Sequence, residues 1–287
     1  MTHRPQPGTD FKRIRTFENR ERWYSGHVPA TWDGAAPLPL VVAIHGATSN
    51  PRLMERFSGL SDFADRAGFA VIYPAGTGNL PNVLTWNGGS CCGYAVQHQV
   101  DDLGWLDLVL DDVAAFLPIA SGQVFFAGMS NGAHMTYRYA AHRPQRLAAI
   151  ACVAGPMVTN VPSLARPVPL VHIHGTDDQF APFAGGRGPL SLYKDPLPSV
   201  PESIAAWVRL CGLPVTPRVE TFPDTKGDNT TIVKQTYGAD EVVLYIVEGG
   251  GHTWPGQPPL PLSLGKSSAN MNANETIWKF FQTHAGR

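Results

Sequence analysis

Short apolar runs, most of them closing on glycine, recur along this chain, and between them the apolar residues switch to helical spacing. LPLVVAIHG (38–46), FAVIYPAG (69–76), QVFFAGM (123–129), LAAIACVAG (147–155), PLVHIHG (169–175) and EVVLYIVEGGGH (241–252) are too uniformly apolar for strands with one wet face. They read as strands buried on both sides, as in a parallel sheet. Leu53, Phe57, Leu60, Ala64 and Ala67 instead mark one helical face, and Leu103, Leu106, Leu110, Val113 and Leu117 mark another that Pro118 ends. Further helices are read over 131–142, over 203–210 before Gly212, and over NANETIWKFF (272–281), where Asn272 and Glu275 form a capping box. Residues 11–17 and 20–29 suggest an antiparallel hairpin, and RVETF with TTIVKQTYG a second, polar one. The expectation is an α/β fold: a mostly parallel central sheet with helices on both faces and an N-terminal antiparallel hairpin.

The chain has 287 residues, 43% of them hydrophobic and 16% charged. A chain this long buries roughly three quarters of its extended surface. No repeat or linker divides it, so residues 1–287 are expected to form a single domain, with 1–10 a flexible lead-in. Lys and Arg total 22 against 23 for Asp and Glu. That balance lacks the basic excess of a nucleic-acid binder and of a polybasic membrane anchor. The longest apolar stretch, 147–158, is broken by Gly155 and Pro156 and falls short of the roughly 18 residues a membrane span needs. A monomer is expected. The four cysteines are too few for a disulfide scaffold, and their spacing is not that of a zinc site. Cys152 reads as a packing residue, and a bridge from Cys91 or Cys92 to Cys211 is expected. Two stretches rich in proline and glycine, 181–201 and 255–265, look like loops beside the sheet that shape a binding site.

GMSNG (128–132) follows an apolar strand and opens a helix. A G-x-S-x-G in that setting holds its serine on a sharp strained turn, where small neighbours let the backbones approach. Ser130 is therefore the candidate nucleophile. A serine hydroxyl needs a base and an orienting acid, in chain order Ser, Asp or Glu, His on such a scaffold. HGTDD carries Asp177 and Asp178 past one strand end, and GGGH carries His252 past the last strand. All three positions fall beyond the carboxyl ends of strands, where parallel sheets bind ligands. Asp177 and Asp178 compete for the acid's place, and either one could instead be a turn former in HGTDD; Asp178 is favoured, in part by the resemblance described below. IHGAT (44–48) ends the first buried strand, so the Ala47 and Asn131 N–H groups are the candidate oxyanion donors. Thr48 is expected to line the pocket, and His45 to organise its loop. His172 and His174 read as packed near a strand end rather than as metal ligands. Asp101 and Asp102 read as partners of a helix N-terminus.

IHGAT, WNGGSCCG (86–93), VDDLGWL (100–106), GMSNGAHM, HGTDD and GGGHTWPG occur together and in this order. In this the chain resembles the polyhydroxybutyrate depolymerase-like esterases, relatives of the feruloyl and acetylxylan esterases, from about Arg20 to the closing IWKFF. The resemblance implies an α/β-hydrolase fold, with Ser130 as nucleophile, Asp178 as acid and His252 as base, no metal and no organic cofactor. It implies a serine carboxylesterase working through an acyl-enzyme on feruloyl, acetyl or polyester-type substrates, small or polymeric. A serine peptidase on the same fold, or a catalytically silent binding protein, is the alternative. Members are commonly secreted, whereas MTHRPQPGTDFKRIRTF lacks the apolar middle of a secretory signal. A native start at Met1 would therefore predict a cytoplasmic protein. Trp86, Trp254 and Phe180 are expected, with Thr48, to form the substrate-binding wall. Trp105 reads more as a helix packing residue.

Overall fold

The computed structural model describes residues 5–192, 195–258 and 264–286. In strand β3 (Leu38–Ile44), Leu40, Val42 and Ile44 pack on one side of the sheet and Val41 and Ala43 on the other. Period-two alternation with both faces apolar requires a cover on each side. Around β3 lie β4 (Ala70–Pro74), β7 (Ile119–Met129), β8 (Ala149–Val153), β9 (Leu170–Gly175) and β12 (Val242–Glu248), all parallel. Antiparallel strands extend both edges: β1 (Asp10–Phe17) and β2 (Arg20–His27) beside β4, β10 (Arg218–Phe222) and β11 (Thr231–Tyr237) beside β12. The ten-stranded order is β1-β2-β4-β3-β7-β8-β9-β12-β11-β10. A two-stranded ribbon, β5 (Thr77–Leu80) with β6 (Val83–Thr85), stands apart and has no clear signal in the sequence.

Helices α4 (Asp102–Ala114), α5 (Asn131–His142) and α6 (Val200–Leu210) cover one face through residues such as Leu106, Tyr137 and Trp207. Helices α1 (Pro51–Ser58), α2 (Leu60–Ala67) and α7 (Ala273–Thr283) cover the other through Met54, Phe63 and Phe281. A short α3 (Gly93–Gln97) lies between the ribbon and α4. The helical face read as continuous from Leu53 to Ala67 is two helices, because Gly59 adopts φ 60° and caps α1. Leu53, on the predicted face, is 48% exposed. Helix α6 starts at Val200, ahead of the expected Ser203. Ser199 and Glu202 form a capping box there, and Pro201 falls in the first turn, where its missing N–H costs nothing. Asn272 caps α7 by accepting from the Glu275 N–H. No described helix is long and apolar enough to cross a membrane.

The flexible lead-in expected over residues 1–10 lies outside the described residues at 1–4. From Gly8 the chain is held: Gly8 and Thr9 pair with Val28, and Asp10 opens β1. His27 pins this hairpin to α2, its Nδ1 2.7 Å from Asp10 Oδ1 and its Nε2 2.9 Å from Asp65 Oδ1. Burial opposes the charged imidazole, but the hydrogen bonds it donates to Asp65 and Asp10 outweigh it and raise the His27 pKa. Stability from such a group is complete below the unfolded value and lost as pH rises through the higher folded one. His27→Gln is therefore expected to lower the melting temperature by about 1–3 °C at pH 5.5, and by less at pH 9. Thermal unfolding at the two pH values checks this, and an equal deficit at both would contradict it.

Candidate active site

The carboxyl ends of β3, β7, β9 and β12 lie along one rim, and each delivers a side chain or N–H group there. At the end of β7, Ser130 takes φ 56° and ψ −122° before α5 begins. A non-glycine residue at positive φ is strained, and the surroundings must hold it. They do so by close packing. A side chain on Gly128 would run into the Gly132 carbonyl, and one on Gly132 into that of Ile44. The Ser130 N–H donates to Val153 O at 2.8 Å.

Beyond β12, three glycines let the chain turn back, and His252 N–H donates to Leu264 O at 2.7 Å. Its ring Nδ1 lies 2.7 Å from Asp178 Oδ2. Oδ1 of Asp178 accepts the Phe180 and Ala181 N–H groups, both at 2.8 Å. Burial alone would raise the Asp178 pKa, but His252 and His174, by charge and by N–H donation, hold it well below the usual carboxylate range. An anionic Asp178 fixes the hydrogen on Nδ1 and leaves Nε2 as the basic nitrogen of the neutral ring. Asp177 is exposed and accepts the Thr176 hydroxyl, so of the two neighbours it is Asp178 that meets His252.

Ser130 and His252 line one cleft of about 440 Å³ together with Gly46 and Ala47. The Ala47 turn is organised by His45, whose Nδ1 donates to Gly46 O while its Nε2 accepts the Gly76 N–H. Burial pushes His45 down to about 4, so it is neutral in that role. Asn131 occupies the first turn of α5, where backbone N–H groups have no intrahelical acceptor. Its side chain had no assigned part in the sequence reading. Oδ1 accepts the Trp86 N–H at 2.7 Å and Nδ2 donates to Trp86 O at 3.0 Å, which locks the helix start to the loop before it.

The expected substrate wall is not assembled. Trp86 is fully buried, with its ring 5.1 Å from that of His45. Trp254 is buried under α7, its indole N–H donating to Asn274 Oδ1. Thr48 is exposed and turns its hydroxyl onto Ala47 O. Phe180 does approach, its ring 5.1 Å from the His252 imidazole. The apolar wall of the cleft comes instead from Leu53, Met54, Phe57, Met129 and Leu264. The period of Leu53 and Phe57 predicts a buried helix face, whereas both line the cleft.

Asp102 is also more than a helix-start charge. Asp101 is the N-cap, accepting from Gly104 N–H, while Asp102 is fully buried and pairs with Arg22 at 2.7 Å. Cys91 and Cys92 are bonded to each other, not to Cys211. Both sulfurs lie near Asn131, at the carboxyl rim, while Cys211 sits by Val168 at the opposite end of the sheet. With His134 the two cysteines form the one cluster of possible metal ligands found among the described residues. Their mutual bond removes the thiolates that a soft ion would need.

A serine on a strained strand-to-helix turn, lining one cleft with a histidine backed by a buried aspartate at the rim of a parallel sheet, defines the α/β-hydrolase class. The fold agrees with solved structures: acetyl xylan esterase from Aspergillus awamori superposes with a TM-score of 0.65 at 18% identity, over 95% of this chain and 99% of that one. Residues 26–179 match the family model described as esterase PHB depolymerase, and the chain belongs to that family. It is a carboxylic ester hydrolase. Among relatives, the putative esterase NocK of Nocardia uniformis subsp. tsuyamanensis is 29% identical over 84% of this chain and 73% of its own length. The bifunctional acetylxylan esterase/xylanase XynS20E of Neocallimastix patriciarum is 27% identical over 79% of this chain, which spans 30% of that protein. Poly(3-hydroxyalkanoate) depolymerase C of Paucimonas lemoignei is 29% identical over 81% of this chain and 58% of its own.

Proposed function

We propose that this esterase works by acyl transfer through Ser130, on esters whose acyl group is apolar or aromatic, of the feruloyl, acetyl or hydroxyalkanoate type. His252 takes the Ser130 proton as Oγ attacks the ester carbonyl. Asp178 orients the imidazole and offsets its charge. The Ala47 and Asn131 N–H groups receive the tetrahedral oxyanion. The departing alcohol takes the proton from His252, and water then releases the acid through the same base. The observation that carries this reading is the Asp178–His252 bond of 2.7 Å beside a cleft that Ser130 and His252 both line. A volume near 440 Å³ suits one compact group, a hydroxycinnamoyl unit or a short oligoester end.

Turnover of methyl ferulate, acetylated xylan, hydroxybutyrate oligomers and an aromatic polyester, alongside labelling of Ser130 by a fluorophosphonate, tests the proposal. An unlabelled Ser130 would contradict it. Phe57→Ala separates the acyl classes. It is expected to raise KM about tenfold for feruloyl esters while acetyl esters change less than twofold, because the small acyl group does not reach that wall. Equal effects on both would remove Phe57 from the acyl site.

A further inference from the structure

Tyr137, His172 and His174 form a polar line between α5 and β9, each at most 1% exposed. Tyr137 Oη is 2.9 Å from His172 Nδ1, His172 Nε2 is 3.1 Å from His174 Nδ1, and His174 Nε2 is 2.7 Å from Ala181 O. The same Nε2 lies 3.3 Å from Asp178 Oδ2, the oxygen that His252 meets from the other side.

The hydrogens follow from the far end of the line. A carbonyl and an ionised carboxylate only accept, so His174 Nε2 carries a hydrogen whatever the charge of its ring. In the neutral ring Nδ1 then accepts from His172 Nε2. Burial holds His172 well below its ordinary pKa, so its Nδ1 is free to accept the Tyr137 hydroxyl. Each dipole in the line points at Asp178. The other titratable groups facing His174 are His252, across the shared carboxylate, and His134 of α5. Burial, with His252 and His174 nearby, pushes His134 down to about 3, so it adds no charge. Packing at a strand end would be satisfied by the Ala181 carbonyl alone. It does not call for placing that same Nε2 3.3 Å from the oxygen that holds His252.

We infer that His174 is a positioning residue for the reaction proposed above: its Nε2–H, aimed by His172 and Tyr137, holds the Asp178 carboxylate against His252 and tempers that carboxylate's basicity. The inference rests on the assignment of Ser130, Asp178 and His252. His174→Leu removes the donor, and His174→Gln keeps an N–H near the same point. Without the donor, Asp178 draws more strongly on the imidazole proton. The acid limb of the kcat/KM–pH profile is then expected to move up by about one pH unit in the Leu variant. Plateau kcat should fall about tenfold, with KM within about twofold. The Gln variant should return both to near wild type. The low-field proton resonance of the Asp178–His252 bond, which needs no turnover, should move downfield in Leu and stay in Gln.

A Leu variant with the wild-type profile and resonance overturns the inference, as does a Gln variant no better than Leu. Should the wild-type protein show no Ser130-dependent hydrolysis, the reaction assignment falls. The resonance then decides on His174 alone: moved by Leu and restored by Gln it supports the contact, unmoved it overturns it. Should His174→Leu not fold, Tyr137→Phe removes the hydroxyl that aims His172. A limb shift of the same sign, about 0.3 pH unit, is expected there, and no shift overturns the inference.

Discussion

Ser130→Ala is expected to lower ester hydrolysis by about 10⁴-fold or more and to abolish fluorophosphonate labelling, with folding intact. The reason is local. The variant keeps the Asp178–His252 bond and the main-chain donors but has no oxygen to form the acyl-enzyme. Alanine must still accept φ 56° at that position, and the glycines at 128 and 132 that permit the turn are untouched. Stability should therefore change by no more than about 1 kcal/mol. Turnover of short-chain nitrophenyl esters together with thermal unfolding checks both halves. A variant that keeps full activity would remove Ser130 from the reaction.

Arg22→Met is expected to destabilise the fold by about 3–5 kcal/mol, because it leaves the Asp102 carboxylate buried without its cation. The side chains of Arg22 and Asp102 are 2% and 0% exposed. Burial works against both charges, lowering the Arg22 pKa and raising that of Asp102, with their mutual attraction opposing it. Arg22 Nη2 also donates to Ala75 O, and its guanidinium lies 4.6 Å from the centre of the Trp105 ring. Asp102 Oδ2 accepts the Asn87 N–H at 2.8 Å. Asn87 follows Trp86, whose backbone clamps Asn131, so the loss is expected to reach activity as well as stability. A melting temperature lower by roughly 10 °C is expected. The double variant Arg22→Met with Asp102→Leu should recover much of the loss, since replacing both partners leaves no unpaired charge. A double variant worse than the single would contradict the pairing argument.

Structure and sequence agree best where the cause is local. Strand runs, the elbow around Ser130 and the hairpins all rest on residues within a few positions of one another. Structure and sequence part where a residue's partner lies far along the chain. Closeness to His252 in sequence suggests the substrate wall for Trp254, yet α7 packs over it and Asn274 takes its N–H. Asp102 looked like a dipole partner because its neighbours in sequence carry that pattern, while its cation lies 80 residues away. Cys211 seemed available to Cys91 or Cys92 until the sheet separated them end from end. His172 and His174 were correctly read as packed, but nothing in PLVHIHG indicates that Tyr137 stands behind them or Asp178 ahead.

By itself the amino-acid order determined the types of the main strands and helices, the two-faced parallel sheet and the strand ends at which Ser130, Asp178 and His252 sit. Periodicity and turn chemistry act over a few residues, and a strand end marks the rim wherever the strand is placed. Only the tertiary structure decided which walls the cleft has and which buried polar groups find each other. Those outcomes depend on distances between elements that no local pattern encodes, and burial makes each partner choice decisive because an unpaired polar group has no water to turn to.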